Sequence, residues 1–187
     1  VGPQQPAMAA AQLAGVELLG DIELFARNVD APVVAITGSN GKSTVTTLVG
    51  EMAKAAGKAV RVGGNIGTPA LALIEAQAPD LYVLELSSFQ LEVTPSLNAA
   101  AAVVLNISED HLDRHGNVEH YAAIKQSVFN GDGVVVLNRD DAQVMAMAPS
   151  GRKVVSFGLG AASAKNDFSL IERDGETFLG RGSEALL

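Results

Sequence analysis

The segment of residues 38–44, which reads GSNGKST, constrains the fold more than any other part of this 187-residue sequence. It follows an apolar, β-branched run at residues 33–37 and opens a helical pattern over residues 43–56. Glycines let the backbone curl until its N–H groups converge on phosphate oxygens, and a helix N-terminus adds partial positive charge. The sequence therefore predicts a strand, a phosphate-binding loop and a helix in direct succession.

Two side chains of this loop carry the expected phosphate chemistry. Lys42 is predicted to reach the terminal phosphates of a nucleoside triphosphate, and the Ser43 hydroxyl is predicted to bind Mg²⁺. The predicted phosphate-binding set is completed by Gly38, Ser39, Asn40, Gly41 and Thr44. The spacing departs from the commonest pattern, whose first glycine would fall at Ile36. The alternative, a glycine turn with a chance Lys-Ser pair, is disfavoured by the strand–loop–helix context.

The rest of the chain continues the alternation of strand and helix. Further apolar strands are predicted over residues 59–62, 81–86, 101–107, 134–137 and 154–157, with helices that include residues 118–129. Near-continuous apolar strands separated by helices predict an α/β fold, a parallel sheet flanked by helices as in P-loop NTPases. Ligands of such sheets bind at the carboxyl ends of the strands, where the polar segments of this sequence also fall.

The two ends of the chain show a weaker pattern. Near the start we predict a short helix at residues 7–14, a strand at residues 16–19 and a helix capped by Asp21. Near the end, Asp174 and Gly175 predict the turn of a β-hairpin.

Glu85 stands at the end of a buried strand, where an unpaired carboxylate is costly. Mg²⁺ takes carboxylate oxygens, so a metal ion at this position would account for the residue. The alternative is a glutamate that turns toward the solvent end of its strand. Glu85 is therefore predicted to be a metal ligand.

Other polar residues on the same edge have two interpretations. Asn65, in a glycine-rich turn, marks either a close approach to a substrate or a left-handed turn. Ser87 and Gln90 would either bind a substrate or cap a helix. His111 lies in a loop rich in carboxylates and histidines, which would bind a metal or phosphate or be simply solvated. Lys125 lies in a predicted helix, and nothing in its local pattern assigns it a role.

Composition excludes several classes of function. There are 13 basic and 21 acidic residues, and the formal net charge of −8 disfavours binding to nucleic acid. Aromatic residues make up only 4% of the chain, which argues against a base-stacking platform. The absence of cysteine excludes disulfides and thiolate metal sites and fits a cytoplasmic protein. No apolar run approaches the ~18 residues of a membrane span, so no membrane association is expected.

Four long segments resemble the Mur ligase family, which builds the peptide of the bacterial cell wall and has folylpolyglutamate synthase as a relative. They read ITGSNGKST at residues 36–44, GGNIG at 63–67, YVLELSSFQLE at 82–92 and NISEDHLD at 106–113. The resemblance covers most of residues 16–160. The second and third segments are most similar to the branch that adds D-glutamate to UDP-N-acetylmuramoyl-L-alanine.

The resemblance implies ATP and two Mg²⁺ ions as cofactors, and it implies roles that local patterns leave open. The implied catalytic residues are Lys42, Glu85, His111 and Lys125. The implied metal ligands are Ser43, Glu85, His111 and Lys125, the last after carbamylation turns its amine into a carboxylate. The implied contacts of the muramoyl-alanine substrate are Asn65, Ser87 and Gln90.

The resemblance also implies a three-domain protein of which this chain is a part. Residues 1–31 would be the tail of the N-terminal UDP-binding domain with its linker. Residues 32–187 would be an incomplete central ATP-binding domain, without the C-terminal domain. We expect the chain to be inactive on its own. The implied partners of the whole protein are small-molecule substrates, and it would be a monomer with roles in peptidoglycan synthesis, cell shape and division.

Two alternatives to the D-glutamate ligase remain at this stage. The first is another Mur-type or folylpolyglutamate-type amide ligase, against which the run SSFQ at residues 87–90 argues. The second is a nucleotide-binding module without catalytic activity. Phosphate release with different amino acids distinguishes the first alternative, and ATP binding without phosphate release would identify the second.

Overall fold

A computed structural model of the protein describes residues 5–186, and residues 1–4 and 187 lie outside it. Its helices are α1 (Pro6–Leu13), α2 (Asp21–Ala26), α3 (Lys42–Ala55), α4 (Ser88–Leu91), α5 (Leu112–His115), α6 (Val118–Gln126) and α7 (Ala142–Met145). Its strands are β1 (Val33–Thr37), β2 (Val60–Gly64), β3 (Leu81–Glu85), β4 (Ala101–Val104), β5 (Val134–Asn138), β6 (Val154–Phe157), β7 (Phe168–Arg173), β8 (Glu176–Arg181) and β9 (Glu184–Ala185). Two 3₁₀ turns cover Ala70–Leu73 and Ser127–Phe129.

The strands form one sheet in the order β2-β3-β1-β4-β5-β6-β7-β8-β9. Neighbours from β2 to β7 pair in parallel, and β7, β8 and β9 pair antiparallel. The α/β prediction is confirmed, with an antiparallel extension at one edge. From β1 the chain crosses to β2 on one side, and from β3 it crosses past β1 to β4 on the other. Such a change of direction opens a crevice at the carboxyl ends of the strands.

The central strands are buried on both faces, which explains their continuous apolar sequences. On one face, Ile36, Val83 and Val103 pack against Val45 and Val49 of α3. The opposite face carries the larger apolar cluster, to which α2, α4 and α6 contribute side chains. Burial of these apolar surfaces is the main contribution to the stability of the sheet.

Helix α2 packs on the larger cluster although it precedes the predicted domain boundary at residue 31. Ile22 and Phe25 are fully buried, and the Phe25 ring lies edge-on to Tyr82 of β3. Buried Glu23 accepts hydrogen bonds from the backbone N–H and the hydroxyl of Ser96. The boundary itself stays a prediction, because packing of α2 against the core does not decide where a domain begins.

Several predicted elements differ in extent from the observed ones. Residues 16–19 were predicted as a strand and form none, because the chain leaves α1 through left-handed Gly15 and Val16 N–H bonds back to Ala11. Gly20 rather than Asp21 is the N-cap of α2. The predicted helix over residues 118–129 ends at Gln126 and continues as a 3₁₀ turn.

The predicted strand over residues 101–107 ends at Val104, because the backbone beyond it serves the phosphate loop. Leu105 N–H still bonds to Thr37, but the Asn106 carbonyl accepts the N–H of Ser39, at 2.9 Å. The predicted hairpin is confirmed, and both Asp174 and Gly175 have positive φ, as a two-residue hairpin turn requires. No helix within residues 5–186 is both long and apolar enough to cross a membrane.

Candidate functional site

The phosphate loop lies between β1 and α3, as the sequence predicts. Gly41 is the N-cap of α3 with φ +80°, a backbone conformation that side chains other than glycine rarely adopt. Gly38 has φ +151°, and a Cβ there would lie 3.0 Å from the Leu105 Cβ. Both glycines are therefore required by the path of the chain, and the free N–H groups of the first turn of α3 border the loop.

The loop is held by the segment that follows β4. The Asn106 side chain accepts the Asn40 N–H at 2.8 Å and donates to the Asn40 carbonyl at 3.1 Å. The Ser39 hydroxyl accepts the Ser108 N–H at 2.9 Å. Asn106 and Ser108 bind the loop without being part of its motif, so the motif alone does not predict their role.

Lys42 begins α3, and its side chain turns back over the loop. Its Nζ donates to the carbonyl oxygens of Gly38, at 3.0 Å, and Ser39, at 2.9 Å. Ser43 and Thr44 follow on the first turn of α3 and are exposed. The positive charge therefore lies directly above the helix N-terminus, where an anion is stabilised.

Glu85 ends β3 beside β1, in register with Ile36, and it is only 2% exposed. Its Oε1 accepts a hydrogen bond from the Asn65 side chain at 2.8 Å. Its Oε2 is buried and has no hydrogen-bond partner among residues 5–186. A buried carboxylate oxygen without a partner is unfavourable, so this group fits a cation ligand.

Asn65 follows β2 in a turn that brings two backbones into close contact. A Cβ on Gly64 would lie 2.4 Å from the Glu85 carbonyl, and a Cβ on Gly63 would lie 2.1 Å from the Thr68 carbonyl. The Asn65 N–H donates to the same Glu85 carbonyl at 2.8 Å. The glycine-rich turn therefore orients the carboxylate of Glu85 through backbone contact and through the Asn65 amide.

Ser87 and Gln90 form the capping box of α4. The Ser87 hydroxyl accepts the Gln90 N–H, and the Gln90 side-chain carbonyl accepts the Ser87 N–H at 3.1 Å. The Gln90 amide nitrogen lies 3.4 Å from an Asp21 carboxylate oxygen. Both side chains thus have the capping role that was one of the two interpretations, and their substrate contacts stay predictions.

Lys125 is the feature that local sequence patterns missed. It projects from α6 into the sheet, is 1% exposed, and its Nζ donates to the Thr37 hydroxyl at 3.2 Å. The ammonium also lies 4.7 Å from the centre of the Tyr121 ring. Burial, with the nearby charge of Lys42, lowers the pKa of Lys125 to about 7, although Asp110 opposes the shift.

His111 lies at the rim of this group of residues. It is the N-cap of α5 with φ 52°, and its Nε2 is 3.6 Å from an Asp110 carboxylate oxygen. Its ring centre lies 4.9 Å from that of Phe89. Within residues 5–186, no hydrogen bond or ion pair joins His111 to Glu85 or Lys125. The structure therefore places the phosphate loop, Glu85 and Lys125 at the carboxyl ends of the central strands, and His111 lies beside this group.

Thr37 and Tyr121 connect these groups and were not predicted. The Thr37 hydroxyl accepts from Lys125 and donates to the Leu86 carbonyl at 2.8 Å. The Tyr121 hydroxyl lies 3.3 Å from the Ser39 hydroxyl. The sequence does contain a signal for Thr37, because it is a polar residue that ends an apolar strand and directly precedes the phosphate loop.

Solved structures share this architecture. One is E. coli FolC in complex with ADP, with a TM-score of 0.65 and 18% identity over 96% of this chain and 56% of that one. Another is MurF ligase from Thermotoga maritima in complex with ADP, with a TM-score of 0.62 and 21% identity over 94% of this chain and 42% of that one. At these identities the likeness shows the fold alone.

Curated proteins are much more similar in sequence. The UDP-N-acetylmuramoylalanine–D-glutamate ligase of Nitrosococcus oceani is 52% identical over the whole chain, and that of Escherichia coli K12 is 53% identical over 97% of it. The chain spans 41% of the length of each of these relatives. Residues 36–181 match the Mur ligase middle domain. The family resemblance is thus confirmed, and the chain belongs to the Mur ligase family.

Proposed function

We propose that this chain is the ATP-binding part of an ATP-dependent amide ligase that joins D-glutamate to UDP-N-acetylmuramoyl-L-alanine. ATP would phosphorylate the carboxylate of the muramoyl-alanine substrate and release ADP. The amine of D-glutamate would then attack the acyl phosphate, and the amide would form as phosphate leaves. The relatives that are 52–56% identical carry the name of this activity.

The observation that carries the proposal is the convergence of three ionisable side chains at the carboxyl ends of the central strands. Lys42 lies over the phosphate loop, Glu85 has a buried oxygen without a partner among residues 5–186, and Lys125 reaches Thr37 at the end of β1. Transfer of a phosphoryl group to a carboxylate brings anions together, so positioning and charge neutralisation are the main requirements. Lys42 would meet the charge requirement directly, and Glu85 and carbamylated Lys125 would meet it through the Mg²⁺ that they are proposed to hold.

The residues present fit a Mg²⁺ site. Ser43 and Glu85 offer oxygen ligands, and the proposal adds His111 and carbamylated Lys125 for a second ion. When bound, Mg²⁺ neutralises phosphate charge and orients the phosphates for in-line attack. The Asn65 amide would hold the Glu85 carboxylate in one orientation.

The buried environment of Lys125 supports its carbamylation. With a pKa lowered to about 7, a large fraction of the amine is neutral near neutral pH. A neutral amine attacks carbon dioxide, forms one C–N bond and releases one proton, which leaves a carbamate anion. That anion would lie in the field of Lys42, which disfavours a second cation and favours a negative charge.

The proposal includes the setting in which the whole protein works. We infer a monomer in the bacterial cytoplasm, where ATP and UDP-linked precursors are available, with no role for membrane or nucleic acid. Gel filtration with light scattering tests the monomer. A dimeric mass that persists on dilution would contradict that part alone.

Phosphate release by the full-length protein tests the proposed function. ATP, Mg²⁺, UDP-N-acetylmuramoyl-L-alanine and D-glutamate are supplied together, and each is then omitted in turn. Release that requires all four supports the ligase. Release that prefers L-lysine, diaminopimelate or L-glutamate over D-glutamate would assign another amide ligase. ATP binding without phosphate release would replace the proposal with a nucleotide-binding module.

A further inference from the structure

A second cluster of potential metal ligands lies where α4 and α5 meet α6. Glu92 is the C-cap of α4, His115 is the last residue of α5, and His120 lies in the first turn of α6. One ligand atom from each of them lies within 4.8 Å of the other two. Three separate helices therefore bring a carboxylate and two imidazoles together, none of which the proposed ligase reaction uses.

The His115 ring is fixed in place by its neighbours. Its side chain is fully buried, and its Nε2 lies 3.0 Å from the Ser88 hydroxyl. The ring stacks on Phe89 with a centroid distance of 5.4 Å and contacts Tyr121 on another side at 5.3 Å. These contacts define the direction in which the second ring nitrogen, Nδ1, points.

That nitrogen is buried and has no hydrogen-bond partner within residues 5–186. It faces Oε1 of Glu92 at 3.5 Å. When Nε2–H donates to Ser88, Nδ1 directs a lone pair toward a carboxylate oxygen, and a cation between the two atoms would remove this repulsion.

The carboxylate is oriented by an arginine. Oε2 of Glu92 accepts a hydrogen bond from the Arg114 guanidinium, and this leaves Oε1 directed at His115. A carboxylate held by a partner of this kind resembles the outer contacts that orient metal ligands in proteins. His120 is exposed, so its ring is free to rotate toward the other two groups and to admit solvent.

We propose that Glu92, His115 and His120 form a binding site for a first-row transition-metal ion of the Zn²⁺ type. Two imidazoles and one carboxylate suit such an ion, whereas Mg²⁺ prefers oxygen ligands. Bonds of about 2.0–2.1 Å place tetrahedral ligands roughly 3.3 Å apart. The distance from His115 Nδ1 to Glu92 Oε1, 3.5 Å, already approaches this value. Only the exposed His120 side chain has to move closer to these two atoms. The fourth position would hold water.

The site is independent of the proposed ligase function but lies next to it. Gln90 lies on α4, Lys125 lies on α6, and His111 directly precedes α5. The ring of Tyr121 lies between His115 and the Ser39 hydroxyl. A bound ion would tie these helices together. We therefore expect Zn²⁺ to raise the thermal unfolding midpoint by about 5 °C at a large excess over its dissociation constant.

Titration of the chain with Co²⁺ tests the site directly. Co²⁺ bound tetrahedrally gives intense visible absorption bands, and we expect these to appear, to disappear on addition of Zn²⁺, and to persist in excess Mg²⁺. His120→Gln, at an exposed position that does not threaten folding, should weaken Zn²⁺ binding by about 100-fold. Competition with a chromophoric chelator measures this affinity.

A matched variant completes the test. Glu119→Gln removes an exposed carboxylate next to His120 and should retain Zn²⁺ affinity. Circular dichroism confirms that each variant is folded. Failure of the Co²⁺ bands to appear, or Zn²⁺ affinity that is unchanged in His120→Gln or lost in Glu119→Gln, would overturn the proposal.

Discussion

Two edges of the same sheet are built in different ways. The phosphate edge, residues 37–44, 85–90 and 105–108, is held by hydrogen bonds between residues far apart in sequence, such as Lys125 with Thr37 and Ser108 with Ser39. The hairpin edge, residues 168–185, is held mainly by local contacts, such as Thr177 with Glu172. The hairpin edge also lines an apolar cavity of about 520 Å³ that includes Leu179 and Met52.

The difference shows where chemistry can be placed in this fold. Long-range contacts hold charged groups in one geometry, because the whole core would have to move for them to separate. A hairpin forms from neighbouring residues and holds its own shape, but it brings no distant charged groups together. We therefore expect substitutions at the phosphate edge to have larger effects than a substitution beside the hairpin edge.

Lys42→Ala should have the largest effect, because it removes the cation above the loop. We expect phosphate release by the full-length protein to fall by about 10³-fold. Lys54→Ala removes an exposed lysine of the same helix that pairs with Glu51, and it should leave turnover unchanged. Turnover in Lys42→Ala close to that of the unmodified protein would contradict the proposed reaction.

Glu85→Gln should reduce phosphate release by about 10²-fold and raise the Mg²⁺ concentration needed for half-maximal rate. The amide keeps the size of the side chain and can still accept the hydrogen bond from Asn65, but its charge is lost. Glu75→Gln, on an exposed glutamate that pairs with Arg61, is the matched control. An unchanged Mg²⁺ dependence would exclude Glu85 as a ligand.

Lys125→Met should stabilise the chain while it abolishes the proposed second ion site. The native-state pKa of Lys125 is about 7 against an ordinary value of 10.5, so the unfolded state binds the extra proton between these values. Stability of the unmodified chain should therefore rise as pH increases from 7 toward 10. The gain from Lys125→Met should be about 1–4 kcal/mol at pH 7 and smaller at pH 10.

Urea unfolding of both chains in buffer free of carbon dioxide measures this difference. Lys58→Met, at an exposed position, provides the comparison for a lysine in water. A gain that is the same at pH 7 and pH 10 would show that the pKa of Lys125 is not lowered in the native state. A separate ¹³C NMR experiment with labelled carbon dioxide should show a carbamate signal that Lys125→Met removes.

Asp167→Asn, at the residue that directly precedes the hairpin edge, should have the smallest effect. Burial raises the pKa of Asp167, but hydrogen bonds from the N–H groups of Ser156 and Ala164 outweigh it, so the pKa is lowered. The stabilisation is present above the unfolded-state pKa and is lost as pH falls through the native value. We expect a loss of about 1–2 kcal/mol at pH 7 and unchanged ATP binding by the full-length protein.

Urea unfolding at pH 7 and pH 3 measures the effect of Asp167→Asn. Asp132→Asn, at an exposed position, should change stability by less than about 0.5 kcal/mol. A large loss of ATP binding in Asp167→Asn would show that the two edges are coupled and that the hairpin edge does not hold its shape independently of the phosphate edge.

Much of the fold follows from local patterns. The strands β1, β3, β5 and β6 and the hairpin turn at Asp174 were predicted because apolar runs, glycines and turn residues specify them within a few residues. The strand predicted at residues 16–19 failed because a strand needs a neighbour to pair with, and the local pattern contains no information about neighbours. The early end of β4 has the same cause, since its later backbone groups bond to the phosphate loop instead.

The phosphate loop, the parallel α/β sheet and the position of Glu85 at a strand end follow from the sequence alone. Each of them depends on residues that are close together in the chain. The burial of Lys125 and its lowered pKa emerge only in the tertiary structure, and so does the proximity of Glu92, His115 and His120. The pKa of a side chain depends on the solvent it loses and the charges it gains on folding. Those surroundings come from residues as far away as Thr37, which lies 88 positions from Lys125.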